Sequence, residues 1–119
     1  MKQSYQDLLV WQKAMSLVTD IYRITRRFPP EERFGLTSQV RRAAVSIPSN
    51  IAEGQARRTR GEFLQFLGHA KGSLAELDTQ LRIAENLGYL HDSDTLFRDL
   101  SDVRRMLSGL VSSLEANRL

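Results

Sequence analysis

Cysteine is absent from this chain, which excludes disulfides and thiolate metal sites and leaves no sign of an oxidising compartment. Histidine is almost absent: His69 and His91 are the whole supply. Neither follows a glutamate by three positions, so the Glu-x-x-His spacing of di-iron bundles is missing, and no metal or cofactor is expected. No apolar run approaches the roughly 18 residues that would suggest a membrane span. The first residues, Met1 to Asp7, lack the apolar core of a secretory leader. The expectation is therefore a cytoplasmic protein with no membrane partner. Also missing are a Gly-x-Ser-x-Gly elbow, a P-loop and a dinucleotide fingerprint. No catalytic residue can be named, and the chain is expected not to be an enzyme. Glu53, Glu76 and Asp78 are carboxylates whose ordinary role on a basic chain is to pair with arginine.

What is present is a globular composition on a single-domain scale, expected to span residues 1–119. The 119 residues are 41% hydrophobic and 26% charged. That is enough to close one core without staples. Four segments carry apolar residues at spacings of three and four, the period of a helix with one buried face. The first stripe is Leu8, Trp11, Met15, Val18 and Tyr22. Ser4 is placed to cap it and Phe28-Pro29-Pro30 to end it, giving a helix from about Tyr5 to about Arg27. The second is Val40, Ala43 or Ala44, Ile47 and Ile51, with Thr37 as its expected N-cap.

The third stripe, Phe63 to Ala84, alternates steps of four and three. It starts at a capping box, Thr59-Arg60-Gly61-Glu62, and stops at Gly88. The fourth runs from Leu96 to Leu114, with Asp92 or Ser93 as cap. Short links make successive helices antiparallel neighbours. The fold class is all-α: an up-down-up-down four-helix bundle in one domain.

Two features exceed what a minimal bundle needs. Apolar residues cover more than one face at Leu8-Leu9-Val10-Trp11, at Phe63-Leu64 with Phe66-Leu67, and at Leu96-Phe97. This surplus points to a second buried surface, most simply a homo-oligomer. Gly68 and Gly72 are expected to mark the close approach of another helix. The second feature is Ser46-Ile47-Pro48-Ser49-Asn50-Ile51-Ala52-Glu53-Gly54, a proline inside a helical stripe. It predicts a kink in helix two at Pro48, with Ser46, Ser49 and Asn50 hydrogen-bonding the freed carbonyls. A binding site in that stretch is the lesser reading.

Charge is uneven. Residues 1–60 carry a balance of +6 and residues 61–119 one of −3. Fourteen of the 17 basic residues are arginine, the type suited to bidentate phosphate or carboxylate contacts. The topology gathers Arg23, Arg26, Arg27, Arg33, Arg41 and Arg42 near one end, and Arg57, Arg58 and Arg60 near the other. Such clusters suit either nucleic-acid phosphates or carboxylates of a neighbouring subunit. In sequence no aromatics alternate with these arginines, so contacts through the backbone and shape are expected rather than base stacking.

The series Tyr5-x-Asp7-Leu8-x-Val10-Trp11-Gln12-Lys13-Ala14, Phe28-Pro29, Phe34-Gly35-Leu36, Gln39-Val40-Arg41-Arg42-Ala43-Ala44, Ser46 to Gly54 and Gly72-Ser73-x-x-Glu76-Leu77 resembles a known family over nearly the whole chain. It is the four-helix bundle family encoded by intervening sequences in bacterial 23S rRNA genes, often labelled a ribosomal protein. That family is similar in fold to the accessory variability determinant of diversity-generating retroelements, a basic homopentamer that binds nucleic acid and a reverse transcriptase. The resemblance implies a ring-shaped homopentamer and binding of RNA or DNA.

The leading expectation is a non-enzymatic oligomer, itself its first partner, that binds structured RNA or DNA. The candidate contacts are Arg23, Arg26, Arg27, Arg41, Arg42, Arg57, Arg58 and Arg60. The structural motif is Ser46, Pro48, Ser49, Asn50, Glu53 and Gly54. The alternative is a protein–protein scaffold or adaptor that recruits a protein partner and binds no nucleic acid.

Overall fold

The computed structural model describes residues 4–116. Met1–Gln3, part of the segment read for a leader, and residues 117–119 lie outside the described residues. Four helices account for most of the chain: α1 (Leu9–Thr25), α2 (Leu36–Gln55), α3 (Arg60–Asn86) and α4 (Asp94–Ala116), and no strand occurs among the described residues. The helices form a closed cycle in which α1 packs on α2 and α4, and α3 packs on α2 and α4. The tightest pairing is α2 with α3. The radius of gyration is 15.1 Å, against about 13.5 Å for an average compact chain of this length. Long parallel rods make the difference. No described helix is long and apolar enough to cross a membrane.

The core follows the stripes read for α2, α3 and α4 and a shifted line on α1, with Leu17, Ile21, Val40, Ile47, Ile51, Leu67, Leu77, Leu81, Val103 and Leu107 fully enclosed. In α1 the buried line is Val10, Ala14, Leu17 and Ile21, one position off the expected stripe. Met15 and Tyr22 are exposed, and Trp11 and Val18 are half-buried against the core. Val10, Ala14, Leu17 and Ile21 recur at the same spacing of three and four as the expected stripe, and these smaller residues face inward.

Helix ends explain the remaining differences. The first helix is not continuous from Tyr5. Ser4 caps a single turn, Tyr5–Asp7, and Leu8 is extended before α1 begins. The break turns the Tyr5 ring edge-on to Trp11, 5.3 Å between centroids. Thr37 is not the cap of α2. That helix starts at Leu36, and its first N–H is taken by Glu32 Oε1 at 3.1 Å. A carboxylate from the preceding turn has replaced the hydroxyl, and Thr37 Oγ1 is buried without a partner.

Thr59 does cap α3, accepting from the Glu62 N–H at 3.1 Å. Gly88, at φ +80°, ends it, with Tyr89 N–H returning to the Ala84 carbonyl. Ser93 precedes α4, and its carbonyl accepts the first helical bond, from Phe97 N–H. Its hydroxyl, however, donates to Glu85 Oε2 at 2.8 Å.

Pro48 is buried inside α2, which runs on to Gln55 without a break. Continuity of the helix is established there, and the expected bend is not. Asn50 Nδ2 donates to the Ser46 carbonyl at 2.8 Å and to Ser46 Oγ at 2.9 Å. Ser46 Oγ meets Ser73 Oγ on α3 at 2.8 Å. The side-chain bonds thus go to Ser46 rather than to Ala44, the carbonyl that a proline at 48 relieves of its donor, and Ser49 is exposed and takes no part.

The close approach of helices falls at Gly54, not at Gly68 or Gly72. A Cβ on Gly54 would lie 2.7 Å from Phe66 Cβ and 2.9 Å from Phe63 Cδ1. At Gly68 and Gly72 it would meet nothing within 4 Å.

Candidate nucleic-acid interface

Antiparallel packing brings the α1–α2 link, residues 26–35, and the α3–α4 link, residues 87–93, to the same end of the bundle. Phe28 from the first link is buried, and its ring packs on Tyr89 of the second, 5.6 Å between centroids. Arg23 leaves the last turn of α1 at this end, Arg26 and Arg27 begin the link, and all three are exposed. Arg23 reaches Asp20 at 3.6 Å, an exposed pair of small energetic weight. Arg41 comes in from α2. Its guanidinium carbon lies 4.6 Å from the centroid of the Tyr22 ring. Its Nε donates to Thr25 Oγ1 at 2.8 Å, and the Tyr22 carbonyl accepts from Nη2 at 3.4 Å. Arg41 is therefore anchored on α1 rather than displayed.

Arg42, one position on, is exposed. With Gln39, Ala43, Ser46, Glu76 and Gln80 it lines a polar groove of about 410 Å³ between α2 and α3. Gln80 is buried, and its side-chain oxygen has no partner.

The basic end is not uniformly basic. A cleft of about 540 Å³ between α1 and the start of α4 is lined by Arg23, Arg27 and His91, but also by Asp20, Asp92 and Asp99. Asp92, just before α4, and Asp99 within it share this cleft with Arg23 and Arg27. Positive potential is therefore carried on the α1–α2 side of this end.

At the opposite end, Arg57 stacks on Phe66 at 4.7 Å and pairs with Glu53 Oε1 at 3.1 Å. Arg58 and Arg60 are exposed and form no ion pair among the described residues. The expected pairing of carboxylates with arginine holds for Glu53 and for Asp78, which meets Arg82 at 3.2 Å. Glu76 makes no such pair.

One class of residue was missed in the sequence. Each of Arg33, Arg41, Arg57 and Arg82 lies over an aromatic ring: Phe34, Tyr22, Phe66 and Phe97 respectively. Three of these rings come from another helix or a distant turn, so alternation along the chain could not reveal them. Arginine and aromatic residues are interleaved in space although not in sequence. A guanidinium held over a ring keeps donors for carboxylate or phosphate while losing less freedom on binding.

A family model described as the 23S rRNA-intervening sequence protein matches residues 6–109. The chain belongs to that family. Among solved structures, the chain is similar to a protein of unknown function of the S23 ribosomal protein family from Bacteroides thetaiotaomicron. The two share 19% identity over 87% of this chain and 98% of that one, with a TM-score of 0.80. At that identity the likeness speaks for the fold. No curated protein matches the chain. The match of the intervening-sequence family spans the aromatic–arginine pairs, the Ser46–Gly54 stretch and both arginine groups, so all the candidate residues lie in the family's common region.

Proposed function

We propose that this chain is a non-catalytic, cytoplasmic, homo-oligomeric helical bundle of five copies that binds structured RNA or DNA through its arginine-rich ends. One observation carries this. Of the eight candidate arginines, Arg23 and Arg57 have carboxylate partners, whereas Arg26, Arg27, Arg41, Arg42, Arg58 and Arg60 have none among the described residues. A chain with 14 acidic residues has enough carboxylates to neutralise them and does not. The exposed, unneutralised guanidinium groups of Arg26, Arg27, Arg42, Arg58 and Arg60 suit a polyanion, whose condensed counterions they would release. The family's description names 23S rRNA, so a structured fragment of that RNA is the first ligand to test.

Oligomerisation would multiply a modest basic end into a larger one. Leu9 at 70% and Leu87 at 55% exposure, with Ile83, Met15 and Val45, leave apolar surface for such contacts. The same apolar surface also supports the second reading, a scaffold that engages a protein and no nucleic acid.

The test is binding to a labelled, structured rRNA fragment across a salt series, with molar mass measured in parallel. Contacts to several phosphates give a slope of log K against log salt of several units. Reversing Arg42, Arg58 and Arg60 to glutamate should flatten it without unfolding the chain, because all three are exposed. Absence of binding at low salt would leave the scaffold as the better account.

A further inference from the structure

Phe34 is the most exposed large apolar residue described, at 87%, and it is not exposed through looseness. Pro29 and Pro30 fix the backbone of its link. Glu32 binds three groups at once. Its carbonyl accepts Gly35 N–H at 3.0 Å, Oε1 accepts Leu36 N–H at 3.1 Å, and Oε2 accepts the Tyr89 hydroxyl at 3.0 Å. Gly35 lets this carboxylate sit against the backbone: a Cβ there would stand 2.8 Å from Glu32 Oε1. The turn that holds Phe34 outward is thus braced on both sides, on α2 by Leu36 and on the α3–α4 link by Tyr89.

Beside the ring, Arg33 places its guanidinium carbon 5.2 Å from the centroid. Arg26 and Arg27 begin the same link, and neither has an ion-pair partner among the described residues. Glu31 is the exposed acid of the link, since Glu32 is occupied. Aromatics and arginine are both enriched at protein–protein contacts, so it is the balance of charge that favours a polyanion: the link carries Arg26, Arg27 and Arg33 against one exposed acid, Glu31. A flat ring with an open face, rigidly presented among cations, is what single-stranded nucleic acid requires, the base stacking and the phosphates meeting guanidinium groups.

We infer that Phe34, with Arg33 beside it, is a stacking site for an unpaired nucleobase, so that the bound nucleic acid must offer a loop, bulge or free end at this end of the bundle. This rests on the nucleic-acid binding proposed above, and it adds base contact to what charge alone would give.

The test uses two RNAs of equal charge, a fully paired duplex and a hairpin carrying a fluorescent adenine analogue in its loop. The wild-type chain is expected to quench the loop fluorophore. Phe34→Ala should abolish the quench and weaken hairpin binding roughly 5- to 100-fold, the size of one lost base stack, with duplex binding unchanged. Phe34→Trp should restore both.

If Phe34→Ala binds and quenches the hairpin as wild type does, the stacking site is wrong while nucleic-acid binding stands. If wild type binds neither RNA, the underlying proposal fails and this inference fails with it. A change in oligomer mass in Phe34→Ala would also overturn it, by placing the ring in a subunit contact.

Discussion

Arg41 lies over Tyr22, 4.6 Å from guanidinium carbon to ring centroid, and thereby ties the start of α2 to the last turns of α1. Thr25 completes the junction. Its hydroxyl donates to the Ile21 carbonyl at 2.7 Å while accepting from Arg41 Nε. A stacked, hydrogen-bonded guanidinium cannot be replaced by an ammonium. Arg41→Lys should therefore lower unfolding stability by about 1 kcal/mol and Arg41→Ala by about 1–2 kcal/mol. Chemical denaturation of the two variants checks this. Equal stability of Arg41→Lys and wild type would show that charge, and not stacking, holds the junction.

Gly54→Ala should be among the more costly single-methyl additions in the molecule. The added carbon would stand 2.7 Å from Phe66 Cβ and 3.3 Å from the Phe63 carbonyl, so the start of α3 would have to move as a unit. Overpacking of this kind costs about 1–3 kcal/mol, well above the few tenths gained in helix propensity. Thermal unfolding should show a lower midpoint. An unchanged midpoint would mean that the α2–α3 corner yields without strain.

Much of this architecture could be read from the sequence, and the reasons for the exceptions are physical. The seams of α3 and α4 were legible because leucines recur there at one spacing with no rival. On α1 two adjacent stripes competed, and only packing against α2 and α4 chose Ala14, Leu17 and Ile21 over Met15 and Tyr22. Thr59 and Glu62 form a local cap, so their roles followed from spacing. Glu32, which caps α2 from outside, depends on the Pro29-Pro30 turn and on Tyr89, fifty-seven positions away, and no local pattern encodes that. The arginines of the candidate interface were visible as residues, but their stacking on Tyr22, Phe66 and Phe97 was not. Those pairs exist only once the helices are side by side.

Tyr89 provides a pH-dependent check on the brace beneath Phe34. Its hydroxyl donates to the Glu32 carboxylate, which raises its pKa above the ordinary tyrosine value. Partial burial and the charges of Glu32 and Glu31 add to the rise. A raised pKa means the folded state favours the neutral phenol. The contribution to stability is thus fully present below the ordinary tyrosine pKa near 10 and is lost as pH rises through the higher folded value. The Tyr89 phenolate, isolated as the absorbance difference from Tyr89→Phe, should appear at lower pH in Glu32→Gln. The same midpoint with and without the carboxylate would show that the hydrogen bond is not formed in solution.

Gly68 and Gly72 separate the stability of the bundle from the proposed self-association. Both are exposed near the middle of α3, and a methyl at either meets no atom of the described residues within 4 Å. Within a single copy, replacing an exposed interior helical glycine by alanine removes backbone entropy from the unfolded chain. It should raise stability by roughly 0.5–1 kcal/mol at each site. A second copy packed against this face would feel the two methyls as obstruction, since paired small residues four apart allow close backbone approach. The double variant Gly68→Ala, Gly72→Ala should therefore unfold at a higher temperature under dilute conditions while associating more weakly, read as molar mass against concentration. Unchanged association would move the subunit contact to the apolar surface around Ile83 and Leu87. Lower stability at every concentration would mean that α3 is already constrained at these glycines within one copy, contrary to the open space around them.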